Sequence, residues 1–116
     1  MKPFLHAKKS VIKHKGKVDD YLEIHEFLDS SKAHVPDMRH RAILHSSFGI
    51  YIAQQVFGIY NTNSDGIDYC VRDICEEHIL EDLGFIPTVE NYLSEMPYYS
   101  WLNGKHSNIV SFRMVD

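Results

Sequence analysis

Long apolar runs are missing from this 116-residue chain. No stretch approaches the roughly 18 consecutive apolar residues that a membrane span needs, so no transmembrane helix is expected. The opening MKPFLHAKKS lacks the apolar segment of a secretory leader. Cysteine is scarce, with only Cys70 and Cys75. Five positions apart on one helix they would point to different sides, so no disulfide between them is expected, and they form no CxxC metal motif. A reducing, cytoplasmic setting fits that usage. No GxGxxG and no P-loop occurs, so no nucleotide cofactor is expected. Ser46 and Ser47 have no glycine elbow around them, which leaves a nucleophilic triad without support. Charge of one sign is also short in supply: 12 basic against 16 acidic residues give a net −4, which argues against broad charge-driven binding of nucleic acid. Lys8, Lys9, Lys13, Lys15 and Lys17 form a local basic patch, read first as a solvated arm. Nucleic-acid binding through it is the weakest of the functional readings.

What is present suits one compact domain: 44% hydrophobic and 24% charged residues, with no internal repeat. Residues 1–18 read as a basic N-terminal arm, 19–96 as a helical core and 97–116 as an aromatic C-terminal tail. Asp19 or Asp20 can cap a helix running to about Lys32. SSKAHVPD is a linker, and Pro36 suits the first turn of a second helix that continues to about Phe57, where Gly58 stops it. Two short extended arms flank a turn at Asn63-Ser64-Asp65-Gly66. A third helix spans Val71 to Leu83 with Gly84 as its C-terminal cap, and Thr88 caps a short fourth. The expected fold is mainly α, a compact bundle of about four helices with one small β-hairpin between helices 2 and 3.

The polar residues become informative once placed at about 100° per residue around each helix. In the third helix Val71, Ile74, Cys75, Ile79 and Leu83 form an apolar stripe, and His78 and Asp82 fall inside it, one turn apart. Glu76, Glu77 and Glu81 fall outside it, toward water. A charged Asp within a buried stripe is costly unless it is paired or holds a metal. In the second helix Arg41 and His45 extend the stripe of Phe48, Ile52 and Val56. In the first, Tyr21, Ile24, Phe27 and Leu28 make the apolar face, with His25 at its edge and Asp29 one turn on. Packed with those ends together, His25, Asp29, His45, His78 and Asp82 converge, with Arg41 beside them. His6, His14, His34 and His106 fall on arms or loops and read as solvated, and His40 faces away from His45.

The stretch YLEIHEFLDSSKAHVPDMRHRAILHSSFGIYIAQQVFG, then NSDG, then VRDICEEHILEDLGFIPTVENYL resembles a small family of uncharacterised domains from bacteria and their phages. The resemblance runs from His6 and Ser10 to Trp101. Its polar positions here are His25, Asp29, Lys32, Arg39, His40, Arg41, His45, Arg72, Glu77, His78, Glu81 and Asp82. The chain departs at Tyr92, where the family tends to have tryptophan, and at Ser46, where a second histidine is common. The resemblance implies a polar site and a bacterial or phage cytoplasmic origin, the host cytoplasm for a phage protein, and brings no established activity. The His/Asp helices are also similar to HD-type metal phosphohydrolases, although an adjacent His-Asp pair is absent.

Imidazole and carboxylate are the usual ligands of zinc, manganese and iron, and a mixed set with an open position can activate water. The first functional expectation is therefore a metal-dependent hydrolase of a phosphoester or nucleotide-like substrate. His25, His45, His78 and Asp82 are its candidate metal ligands, Asp29 and Glu77 its candidate catalytic carboxylates, and Arg41 and Lys32 its contacts to an anionic substrate. The second is a non-enzymatic protein that binds a phage or host protein partner, with the cluster as a structural network and Tyr98, Tyr99 and Trp101 as contact surface. Against the latter stands the simpler reading that these aromatics cover the core. For one His/Asp pair a structural role outweighs a functional one; for three converging pairs the two readings stand about even.

Overall fold

The computed structural model describes residues 1–105. Among them are six α-helices and one two-stranded antiparallel sheet. In chain order these are α1 (Pro3–His14), α2 (Val18–Leu28), α3 (Arg41–Leu44), α4 (Ser47–Phe57), β1 (Tyr60–Thr62), β2 (Asp68–Cys70), α5 (Val71–Leu83) and α6 (Val89–Leu93). Short 3₁₀ turns occupy Ser30–Ala33, Met38–His40 and Ser100–Asn103. The chain is mainly α with a small hairpin, as expected, but the helices number six rather than about four. No helix among the described residues is long and apolar enough to cross a membrane.

The first additional helix is α1, where a basic arm was expected. Pro3 occupies the first turn, where its missing N–H removes no helical bond, and Lys13 and His14 in the last turn oppose the helix dipole favourably. His6, Ala7 and Ser10 are buried against the rest of the protein, while Lys8, Lys9 and Lys13 stay exposed. Spacing i, i+1, i+4 is a helical face. It escaped a hydrophobic reading because two of its three members are polar. Lys15 and Gly16, both at positive φ (69° and 77°), then turn the chain into α2. A Cβ on Gly16 would meet Asp20 Oδ2 at 2.5 Å, and that oxygen already accepts the Lys17 N–H at 2.6 Å and the Ser64 hydroxyl at 2.8 Å.

The second additional helix comes from a break. The expected single helix from Pro36 to Phe57 is interrupted at His45 and Ser46, between α3 and α4. Ser46, read as mid-helix, is the buried N-cap of α4: its hydroxyl accepts the Gly49 N–H at 3.1 Å. Serine favours such local bonds over the helical ladder. The break resets the phase, so α4 buries Gly49, Ile50 and Ala53, while Phe48 and Val56 of the expected stripe are about half exposed or more (51% and 57%).

The remaining elements follow the sequence closely. α2 buries Tyr21, Ile24 and Leu28, ends earlier than Lys32, and is closed by Asp29. α5 runs from Val71 to Leu83 and stops at Gly84 in the left-handed conformation (φ 82°). It buries Val71, Ile74, Cys75 and Ile79 against α2 and α4, which makes the core. The hairpin pairs Tyr60 with Cys70, Asn61 with Tyr69 and Thr62 with Asp68. Asn63 ties it to α1 by donating to the His14 carbonyl at 2.9 Å. Tyr98 (76%) and Trp101 (69%) are exposed and do not cover the core. His106 lies outside the described residues.

One glycine is fixed by space. A Cβ on Gly49 would stand 1.8 Å from the Leu44 carbonyl oxygen, across the α3–α4 junction. Replacing Gly49 with alanine must move the junction, and overpacking of this kind costs about 1–3 kcal/mol or more. Urea denaturation of Gly49→Ala is expected to show a lower midpoint at an unchanged slope.

Candidate metal centre

Four side chains from three parts of the fold meet beside α5. His78 and Asp82 stand one turn apart on α5, Asp29 closes α2, and His45 ends α3. One ligand atom from each lies within 4.8 Å of all the others. His45 Nε2 is 2.9 Å from Asp82 Oδ2 and 3.5 Å from Asp29 Oδ1; His78 Nε2 is 3.2 Å from Asp29 Oδ1 and 3.4 Å from Asp82 Oδ2. Metal–ligand bonds of about 2.1 Å at tetrahedral to octahedral angles separate neighbouring ligands by roughly 3.0–3.4 Å. The four edges match that spacing within a few tenths of an ångström. His45 and His78 are fully buried, and the Asp82 side chain is 2% exposed. These His and Asp groups are positioned to hold a metal ion.

His25 stands one ring further back. Its Nδ1 is 2.8 Å from His78 Nδ1, and its Nε2 is 2.8 Å from the Ser10 hydroxyl of α1. It belongs to a second group, His6–His25–His78, that shares His78 with the first. In that group His25 is itself placed as a potential ligand, and the short contact holds its ring against that of His78. Arg41 is at the rim, its Nη2 3.7 Å from Asp82 Oδ1 and its Nε buried without a hydrogen-bond partner among the described residues. Lys32 is exposed on the 3₁₀ turn after α2, and Glu77 is held by His14, with both carboxylate oxygens 3.0 Å from Nε2. Neither is brought into the cluster.

Three residues read as solvated or outward-facing are part of it. His6, on α1, is fully buried and its Nδ1 is 2.6 Å from Glu81 Oε1. Glu81 was assigned to water because α1, which covers that side of α5, was not foreseen. His40 is buried too, edge-on to the His45 ring at 5.8 Å. The Ser31 hydroxyl donates to the His40 carbonyl at 2.8 Å, so His40 Nδ1, 3.1 Å away, donates to that hydroxyl oxygen. The pattern that could have revealed His6 is Pro3 followed by His6, Ala7 and Ser10, a start signal and one helical face.

The electrostatics follow from burial. Burial, then the neighbouring His78 and His6 rings, push His25 down to about 3. Burial likewise lowers His45 to about 4, against the opposing hydrogen bond to Asp82. Burial alone would raise Asp82, but the His45 hydrogen bond and the His6 and His78 rings outweigh it and hold the carboxyl at about 2. His45 is therefore held as a neutral imidazole and Asp29 and Asp82 as ionised carboxylates, the forms that bind metals.

A cavity of about 300 Å³ adjoins the cluster through Arg41 and is walled by Met38, Leu83, Phe85, Pro87 and Tyr92. The Tyr92 hydroxyl donates to the His45 carbonyl at 2.7 Å. A tryptophan N–H is also a donor, so the departure from the resembled family at this position keeps a donor there.

A family model described as a domain of unknown function, DUF6915, matches residues 1–102. The chain belongs to the DUF6915 family. Searches of curated proteins and of solved structures return no match. The cluster, from His6 to Asp82, and the cavity lie wholly within the DUF6915 match.

Acid should unfold this DUF6915 domain in a defined window. Between pH 6.5 and about 3 the unfolded chain protonates His25 and the folded chain does not; for His45 the window closes at about 4. The unfolded state binds more protons there, so stability is full above pH 6.5 and falls as pH drops. Below 3.8, Asp82 adds a further loss that continues to about pH 2. Each such group contributes a slope of roughly 1.4 kcal/mol per pH unit. Urea melts between pH 7 and 4 should show that decline, and a flat profile would contradict neutral, buried imidazoles.

Proposed function

We propose that the chain is a small metal-dependent hydrolase of a phosphoester or nucleotide-like substrate, with Asp29, His45, His78 and Asp82 as the ligands of a zinc, manganese or iron ion. The observation that carries this reading is the set of four ligand–ligand edges of 2.9–3.5 Å between two imidazole nitrogens and two carboxylate oxygens. A salt-bridge network needs pairs, whereas this is a closed ring of four. A divalent ion there supplies Lewis acidity and a water acidic enough to attack at neutral pH. Arg41, at once a wall of the cavity and a neighbour of Asp82, binds the anionic part of the substrate while Phe85 and Tyr92 face its apolar part. Glu77 has no role in this reading, being engaged by His14, and Lys32 is too far out on its turn. Cys75 is buried and pushed up to about 12, an inert thiol in keeping with a reducing cytoplasm.

The exposed aromatics favour one second reading. Tyr99 and Trp101 stack at 5.5 Å, outside the core, a surface suited to a phage or host protein partner. On that reading the chain is not an enzyme. A chain ended at Met96 that keeps its melting temperature and hydrolytic activity speaks for the first reading.

Elemental analysis of untagged protein loaded with zinc, manganese or iron is expected to find at least one ion per chain. Asp82→Asn and His78→Gln should lose it with helical circular dichroism retained. With 4-nitrophenyl phosphate and its diester as probes, Arg41→Ala is expected to raise KM about tenfold or more, since a charged hydrogen bond is worth roughly 1.5–3 kcal/mol. Absence of bound metal under all three loadings overturns the reading.

A further inference from the structure

We propose that Asp82 bridges two divalent ions, and that His6 is a ligand of the second. The inference rests on the metal reading above and extends it to a residue that neither the apolar stripes nor the four-ligand ring includes.

The argument begins with a mismatch around His6. Its ring is fully buried, and Glu81 Oε1 lies 2.6 Å from Nδ1, a contact in which the ring N–H donates to the carboxylate. Nε2 is then left as a lone pair. It is buried and has no hydrogen-bond partner among the described residues, and Asp82 Oδ1, itself an acceptor, faces it at 3.2 Å. Two acceptors at that distance repel unless something positive lies between them. A proton on Nε2 would relieve the contact only by charging a ring stacked on His78 at 3.8 Å. A shared cation relieves it without that cost, and 3.2 Å is a ligand–ligand edge for bonds of about 2.1 Å.

The stacked pair supplies the second argument. His6 and His78 lie nearly parallel, 25° apart, and each presents Nε2 to a different oxygen of Asp82: His6 to Oδ1 at 3.2 Å, His78 to Oδ2 at 3.4 Å. Rings stacked 3.8 Å apart would hold ions on their two Nε2 atoms at about the 3.5–4 Å spacing of two-metal hydrolytic centres. Glu81 fixes the His6 ring, as carboxylates do behind ligating histidines. Oδ1 also draws the Met1 amino group at 3.2 Å and Arg41 Nη2 at 3.7 Å. An ion at Oδ1 takes over their role and frees Arg41 for an anion. Two divalent ions outweigh the carboxylates Asp29, Glu81 and Asp82 even before Arg41 is counted, so the second ion binds together with an anionic ligand such as a phosphate ester.

Titration of the full-length protein with Mn²⁺, with and without inorganic phosphate, tests this through stoichiometry. Two ions per chain are expected, the second tighter with phosphate present and magnetically coupled to the first by electron paramagnetic resonance. His6→Ala should bind one ion and keep the first affinity. Glu81→Gln, which preserves an acceptor at His6, should keep two ions and weaken the second by about ten- to a hundredfold. One ion in the wild-type chain, or two in His6→Ala at unchanged affinity, overturns the bridge and leaves the four-ligand site standing. No ion in any variant removes both.

Discussion

The burial of one carboxylate organises this protein. Asp82 sits on the core-facing side of α5 with 2% of its side chain exposed. A carboxylate in that position is unstable unless hydrogen-bond donors and positive groups come to it. They arrive from several sides: His45 from α3, His78 from its own helix, the Met1 amino group from the chain start and Arg41 from the rim. The docking of α1, the ending of α3 and the placing of Asp29 at the end of α2 can all be read as the surroundings that one anion requires. The apolar core of α2, α4 and α5 supplies the bulk of the burial, and the polar cluster decides how the shorter elements are seated against it.

Much of the fold was legible where a local rule and the global packing agree. α5 carries a clear apolar stripe and a glycine stop, the hairpin has its Asp-Gly turn, and α6 has its threonine cap. Legibility failed where the packing face was not apolar. α1 turns His6, Ala7 and Ser10 inward, which hydrophobic periodicity does not register. It failed again at His45–Ser46, where extending one helical phase through a serine cap carried the stripe of α4 to Phe48, Ile52 and Val56. The Ser46…Gly49 spacing was the available signal, an N-cap with a residue small enough to approach the Leu44 carbonyl.

The site divides the same way. Asp29, His45, His78 and Asp82, chosen as inward polar residues on three helices, lie together, because i, i+4 spacing orients side chains reliably even when helix boundaries shift. His25 points inward as well, but one layer deeper, and periodicity gives direction without depth. His6, His40 and Glu81 depended on which element covers which, and that is a tertiary fact. Arg41 at the rim was accessible from the charge of the first turns, whereas the cavity beside it, shaped by Phe85, Pro87 and Tyr92 from a later loop and α6, was not.

The break between α3 and α4 has a mechanical side. In an unbroken helix the His45 carbonyl would accept the Gly49 N–H four residues on. That N–H goes to the Ser46 hydroxyl instead, and the freed carbonyl accepts the Tyr92 hydroxyl. The wall of the cavity is thereby bolted to the backbone of a residue whose imidazole faces Asp29 and Asp82. Whatever fills the cavity leans on that bolt, so the wall of the cavity and the cluster share one strut.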